Sequence, residues 1–253
     1  MGKDKLRKFR ENENFRCLIQ PRTEEVFRVD HPLKGHWGEK YFGNDRPIVV
    51  ELGCGKGEYT IDLAVRNPSC NYIGVDIKGA RLWKGAKYAE EHSLPNVAFL
   101  RTRIEFIESL FAQGEVSEIW ITFADPQIKR EKKRLTSPLF MDRYRNFLKK
   151  GGIVHLKTDS RYLHEYSRAM AEVNALNILA CATDIYGKDR ASLYDSAMAS
   201  VCGKDAIDAL LEVQTFYESQ YLAQGIPITY LSFLVDHAGE YVSPDWDEDL
   251  WER

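Results

Sequence analysis

Glu51 is followed by glycines at every second position, Gly53, Gly55 and Gly57. Glycine lets a backbone turn sharply and come close to a ligand, because no Cβ stands in the way. Before the loop runs a short apolar stretch, Ile48, Val49, Val50 and Leu52, the mark of a buried parallel strand. After it, EYTIDLAVR reads as helix, so the loop joins a strand end to a helix N-terminus, where open α/β sheets bind nucleotides. A dinucleotide fingerprint needs G-x-G-x-x-G, whereas this loop is G-x-G-x-G with an acid before it. A carboxylate at Glu51 suits a pyrophosphate poorly and suits the sulfonium and ammonium of S-adenosylmethionine well. The bland alternative is a tight turn that binds nothing.

Asp76 closes the next apolar run, NYIGVD, about 20 residues past the glycine loop. An acid there can take both hydroxyls of a ribose, which NAD and S-adenosylmethionine share. The end of the fourth strand carries Asp125-Pro126, a carboxylate on a stiffened backbone. Six positions, Lys129 to Arg134, then hold five cations, Lys129, Arg130, Lys132, Lys133 and Arg134, against one acid, Glu131. A charge run is usually a solvated face, but beside a sheet edge in a protein of net charge −3 it favours a polyanionic substrate held by its phosphates. Downstream, Lys157-Thr158-Asp159 brings a second carboxylate to the same edge. Thr215 and Glu218 lie three apart, on one helix face.

The elements that must position these groups alternate. Strands are expected at 48–52, 71–76, 97–101, 118–123, 152–157, 176–183 and 226–235. Helices are expected at 58–66, 78–91, 104–111, 138–150, 160–174 and 206–224, with Gly151 and Gly152 closing the helix before the fifth strand. Segment 184–204 is less regular. This alternation means a doubly wound sheet with right-handed crossovers. Three regions are expected: a basic extension at 1–46, a main body at 47–236 and an acidic tail at 237–253. The extension reads either as a solvated tail or as a basic arm that touches phosphate. The tail reads as docked or loose, not as a site.

Composition sets outer bounds. The chain has 253 residues, 44% hydrophobic and 29% charged, ordinary for a globular protein. No apolar run approaches a membrane span of about 20 residues, and no apolar h-region follows the basic start. Five scattered cysteines without a C-x-x-C pair favour a reducing, cytoplasmic setting over a disulfide framework or a zinc site. No metal site is expected.

The glycine loop after Glu51, Asp76, Asp125-Pro126 with its basic run, LKKGGIVHLKTDS, and TFYE followed by GIPITYL occur in this order. Together they resemble the bacterial tRNA (guanine-N7)-methyltransferases, over roughly residues 47 to 235. The resemblance implies a Rossmann-like, class I S-adenosylmethionine-dependent α/β fold, seven-stranded and mostly parallel with the last strand antiparallel. It implies methyl transfer to N7 of a guanine in the variable region of tRNA. It assigns Glu51, Gly53, Gly55, Gly57 and Asp76 to the cofactor, and Asp125 to cofactor and catalysis. Arg103 and Ile104 fall near the adenine. Lys129, Asp159, Thr215 and Glu218 fall to the substrate, and Arg130, Lys132, Lys133 and Arg134 to the RNA. Family members usually show Pro-Asp-Pro-Trp with histidines in the basic run, where this chain has Ala124, Gln127 and Ile128 and a run one residue shorter. Where they often place an acid after the third strand, this chain has Arg103-Ile104.

Guanine N7 already carries a free lone pair, so methylating it needs placement and charge stabilisation rather than a strong base. Three other readings compete: an NAD-dependent oxidoreductase on the same fold, a methyltransferase for another RNA or base position, and a non-catalytic RNA-binding relative. The glycine spacing and Glu51 argue against the first, and the missing Asn/Asp-Pro-Pro-aromatic motif argues against a base-amino methylase. Retention of Glu51, Asp76, Asp125 and Asp159 argues against the last.

Overall fold

A computed structural model describes residues 2–248, and the chain divides into two compact units at Ile119/Trp120. The first holds β1 (Leu18–Ile19), β2 (Ile48–Leu52), β3 (Asn71–Asp76) and β4 (Val97–Arg101) in the order β1-β4-β3-β2, paired parallel throughout. Every residue of β2 and β3 is buried, as strands covered on both faces must be. Helices Glu58–Arg66 and Gly79–Glu91 supply the cover, through Tyr59, Ile61, Leu63 and Ala64 and through Leu82, Ala86 and Ala89.

Strand β5 (Val116–Thr122) crosses the boundary. The second unit contains β6 (Leu148–Thr158), β7 (Ile178–Ala182) and β8 (Thr229–Leu234) in the order β6-β8-β7. The last strand inserts between the two before it and runs antiparallel to both, as expected.

The structure differs from the sequence expectation in four places. It has an eighth strand: β1 pairs with β4 through Leu18↔Phe99 and Ile19↔Leu100, too short a stretch to show a period. The helix from Pro138 ends at Arg145, and β6 already runs through Gly151 and Gly152. Buried Phe147 and Leu148 pull the chain into the core there, and Gly151 adopts φ +73°, bending the strand where a side chain would be strained. The helix expected over 206–224 is two helices, Lys204–Glu212 and Phe216–Ala223, because Thr215 starts a second one as N-cap. Finally, the ordered N-terminal residues belong to the first unit. Helix Gly2–Asn12 packs on Gly79–Glu91, with Trp83 Nε1 donating to Glu11 at 2.6 Å and Asn12 Nδ2 donating to the Gly79 carbonyl at 2.9 Å. Its Arg7 pairs with Asp4 and Glu11, so this part of the basic start spends charge internally. Trp37, fully buried, donates to the Leu110 carbonyl and stacks on Phe111.

Candidate active site

In the first unit the glycine loop is closed by its own neighbours. Gly53 N–H and Cys54 N–H both donate to the Val75 carbonyl, at 2.8 and 3.1 Å. Gly57 has φ +72°, and a Cβ there would lie 2.5 Å from the Phe99 ring, so only glycine fits. Glu51 is buried at the end of β2, and its Oε2 accepts from both the N–H and the hydroxyl of Thr60, in the first turn of the helix after the loop. Asp76, also buried, uses both oxygens: Oδ2 accepts from Gly55 N–H at 3.0 Å and Oδ1 from Lys78 N–H at 2.7 Å. These two acids shape the loop as well as charge it. Burial, then the charges of Glu51 and Asp76, push the Cys54 thiol well above its ordinary range, so it is a neutral wall and not a nucleophile.

That same field tests the fit of the cofactor. Two carboxylates beside one loop suit a sulfonium and an ammonium, and each Asp76 oxygen keeps a second lone pair for a ribose hydroxyl. A Cβ added at Gly53 would meet nothing within 4 Å, which leaves the backbone open to an approaching ligand. Arg103 is exposed at the N-cap of a 3-10 turn, Ile104–Ser109, and leans on Phe106 and Glu105. Ile104 is half-buried beside it.

In the second unit Asp125 is exposed on the loop after β5, and its Oδ1 accepts from Gln127 N–H at 3.0 Å, a turn that aims the carboxylate. Phe123 and Gln127, at φ +50° on either side, hold left-handed backbone that non-glycine residues avoid. Phe123 N–H is tied to the Lys157 carbonyl at 2.9 Å. Lys129, Arg130, Lys132 and Lys133 are exposed. Arg134, expected to meet RNA with them, is fully buried and cannot. Its guanidinium instead donates to the carbonyls of Pro126, Gln127 and Ile128, at 3.0, 3.1 and 3.0 Å, and lies 3.9 Å from the Tyr166 ring centroid.

Asp159 follows β6 and is half-buried, and burial holds its carboxyl above the ordinary range. Thr215 and Glu218 form a capping box: Glu218 N–H donates to Thr215 Oγ1 at 3.2 Å and Thr215 N–H to Glu218 Oε2 at 3.3 Å. Glu218 is fully buried, accepts from Tyr186 OH at 2.7 Å and pairs with Lys157 Nζ at 2.7 Å. Its carboxylate is thus committed to structure, while half-buried Thr215 stands at the helix start. Lys157 was not singled out from sequence. Its Nζ also donates to the Leu210 and Val213 carbonyls at 2.8 and 3.0 Å, pinning the end of one helix to the start of the next. Burial lowers its pKa to about 8, against the raising effect of Glu218. A lysine inside the apolar run GIVHLKT was the available signal, since a buried ammonium demands partners.

Among the described residues, no group of three or more His, Cys, Asp or Glu could hold a metal ion, and no helix is long and apolar enough to cross a membrane. The family model described as "Putative methyltransferase" matches residues 45–190. Among solved structures, the 16S rRNA methyltransferase KamB aligns with TM-score 0.54 at 16% identity, covering 81% of this chain and 92% of that one. The 30S ribosomal A1408 methyltransferase from an uncultured bacterium aligns at 0.51 and 18%, covering 76% and 89%. Such distant likeness speaks for the class I methyltransferase fold alone. Sequence relatives are nearer. The tRNA (guanine-N(7)-)-methyltransferase of Christiangramia forsetii is 52% identical over 92% of this chain and 99% of its own. That of Bacteroides thetaiotaomicron is 44% identical over 99% and 93%. With identity of this order along nearly its whole length, the chain belongs to the tRNA (guanine-N(7)-)-methyltransferase family.

Proposed function

We propose that this protein transfers the methyl group of S-adenosylmethionine to N7 of a guanine in the variable region of tRNA, in the cytoplasm. Near-full-length identity of 52% to a relative so named carries the reading. When bound, the cofactor supplies an electrophilic methyl on a sulfonium. Glu51 and Asp76 provide the negative surroundings that favour that cation over a pyrophosphate, and Asp76 takes the ribose. Arg103 and Ile104 flank the adenine. The body at 47–236 carries the reaction.

N7 needs no proton removed, so Asp125 acts neither as nucleophile nor as strong base. Its role is to hold the guanine edge and to offset positive charge that grows on the purine as the methyl arrives. The turn through Gln127 supports this, because it fixes the carboxylate before substrate comes. Asp159, Lys129 and Thr215 help hold the target nucleoside. Lys129, Arg130, Lys132 and Lys133 are exposed and meet phosphate from the surface.

The test is a methyl-transfer assay on unmodified tRNA with labelled S-adenosylmethionine, followed by nucleoside analysis. Wild type yields 7-methylguanosine, and Asp125→Ala lowers kcat by roughly 10²–10³, the scale of one lost preorganised electrostatic contact. Near-normal turnover in Asp125→Ala would remove that residue from the mechanism. Cofactor binding without 7-methylguanosine would overturn the substrate.

A further inference from the structure

Arg134 is the largest charged side chain in the core, and it is not there for packing alone. Three of its hydrogen bonds end on consecutive carbonyls, Pro126, Gln127 and Ile128, immediately after Asp125. A carbonyl carries only a partial charge, so a buried guanidinium still needs an anion. That anion comes from the tail: Glu248 Oε1 lies 3.1 Å from Arg134 Nη2. Tyr162 bridges them, its hydroxyl touching Arg134 and reaching Glu248 at 3.3 Å. Trp246 packs edge-on against Tyr162 and Tyr166, with ring centroids at 5.9 and 5.7 Å, and so seats the tail beside the ion pair. A second acid, Glu131, accepts from Tyr166 OH at 2.7 Å and fixes the ring under the guanidinium.

The geometry points to Glu248 and Trp246 as positioning residues for the reaction: the acidic tail latches Arg134, and Arg134 holds the backbone that aims Asp125. The inference rests on Asp125 being the acid of the site. Gln127 and Ile128 enter this network only through their carbonyls, which any side chain could supply. The left-handed backbone at Gln127 is held by those bonds from farther along the same loop. Arginine is required because its planar fork reaches several acceptors at once, which a lysine ammonium on the same stem cannot match.

The experiment uses the full chain with Glu248→Ala, Glu248→Gln, Trp246→Ala and Arg134→Lys, each checked for a cooperative thermal transition. kcat, the KM for tRNA, the cofactor Kd and amide exchange at Gln127 are measured on each. Glu248→Ala is expected to lower kcat about tenfold or more and to speed exchange at Gln127. Cofactor Kd and tRNA KM change by less than kcat does, because neither the glycine loop nor the exposed cations are touched. Glu248→Gln, which keeps an acceptor, recovers part of kcat. Arg134→Lys combined with Glu248→Ala is no worse than the lysine variant alone. Two results overturn the latch: Glu248→Ala and Trp246→Ala with kcat within twofold of wild type, or a loss confined to tRNA KM. Asp125→Ala separates the two levels. If it is inactive while the tail variants are normal, the latch alone falls. If it is active, the assignment of Asp125 falls and takes the latch with it.

Discussion

The two acid-bearing loops of this protein are built in opposite ways. Around Gly53–Gly57, the hydrogen bonds that shape the turn come from the loop itself, from β2 and β3 and from the starts of the helices after them, with Glu51 reaching Thr60 and Asp76 reaching Gly55 and Lys78. Around Asp125, the turn to Gln127 and the bonds from Arg134 back to Pro126, Gln127 and Ile128 are short-range, but Arg134 itself is held by Tyr162 and by Glu248, which is 114 residues away. A loop of the first kind forms as soon as its strands pair. One of the second kind exists only when the whole second unit is in place.

Four substitutions sharpen that contrast. The largest effect is expected at Lys157→Met, which leaves Glu218 buried without its cation and costs about 3–5 kcal/mol in urea unfolding at neutral pH. This variant also carries a pH signature. Lys157 titrates at about 8 in the fold against 10.5 when exposed, so the unfolded chain binds more protons between those values. The group therefore costs stability in full below pH 8, and that cost fades as pH rises to 10.5. Wild type gains stability across that window, and Lys157→Met lacks this gain. A wild-type curve flat from pH 8 to 10 would sink the idea.

Next comes Gly57→Ala, where left-handed backbone and a methyl pressed into Phe99 together cost roughly 2–4 kcal/mol. Because the glycine loop is locally closed, this change should weaken cofactor binding and leave amide exchange in the Asp125 loop unaltered. Altered exchange at Gln127 would break the comparison. The smallest effect is Lys132→Ala, an exposed cation. It should reduce the slope of log affinity for tRNA against log salt by about one at most. Arg134→Lys should leave the slope intact, since the buried charge meets no phosphate.

What could be read from sequence follows the same divide. The alternation of strands and helices, the glycine loop, Asp76 and the antiparallel last strand were legible because their signals are short-range or belong to an ordered set of motifs. Arg134 was not, because five cations in six positions look alike until Tyr162 and Tyr166, some 30 residues on, select one for burial. From sequence the tail reads as docked or loose, and its acid becomes visible only beside that arginine. The break between the two helices at 213–215 was legible after all: Thr215-x-x-Glu218 is a capping-box signature that starts a new helix. Strand β1 was beyond reach, since two residues carry no period.

The pairing of Glu248 with Arg134 also sets a clock. At translation speeds of about 5–20 residues per second, the 114 residues between them take roughly 6–23 s to make. A nascent chain therefore carries Asp125, its basic run and a complete glycine loop well before it owns the carboxylate that sets the loop. On the proposed latch, a chain that stops short of Glu248 stays slow however complete its glycine loop is.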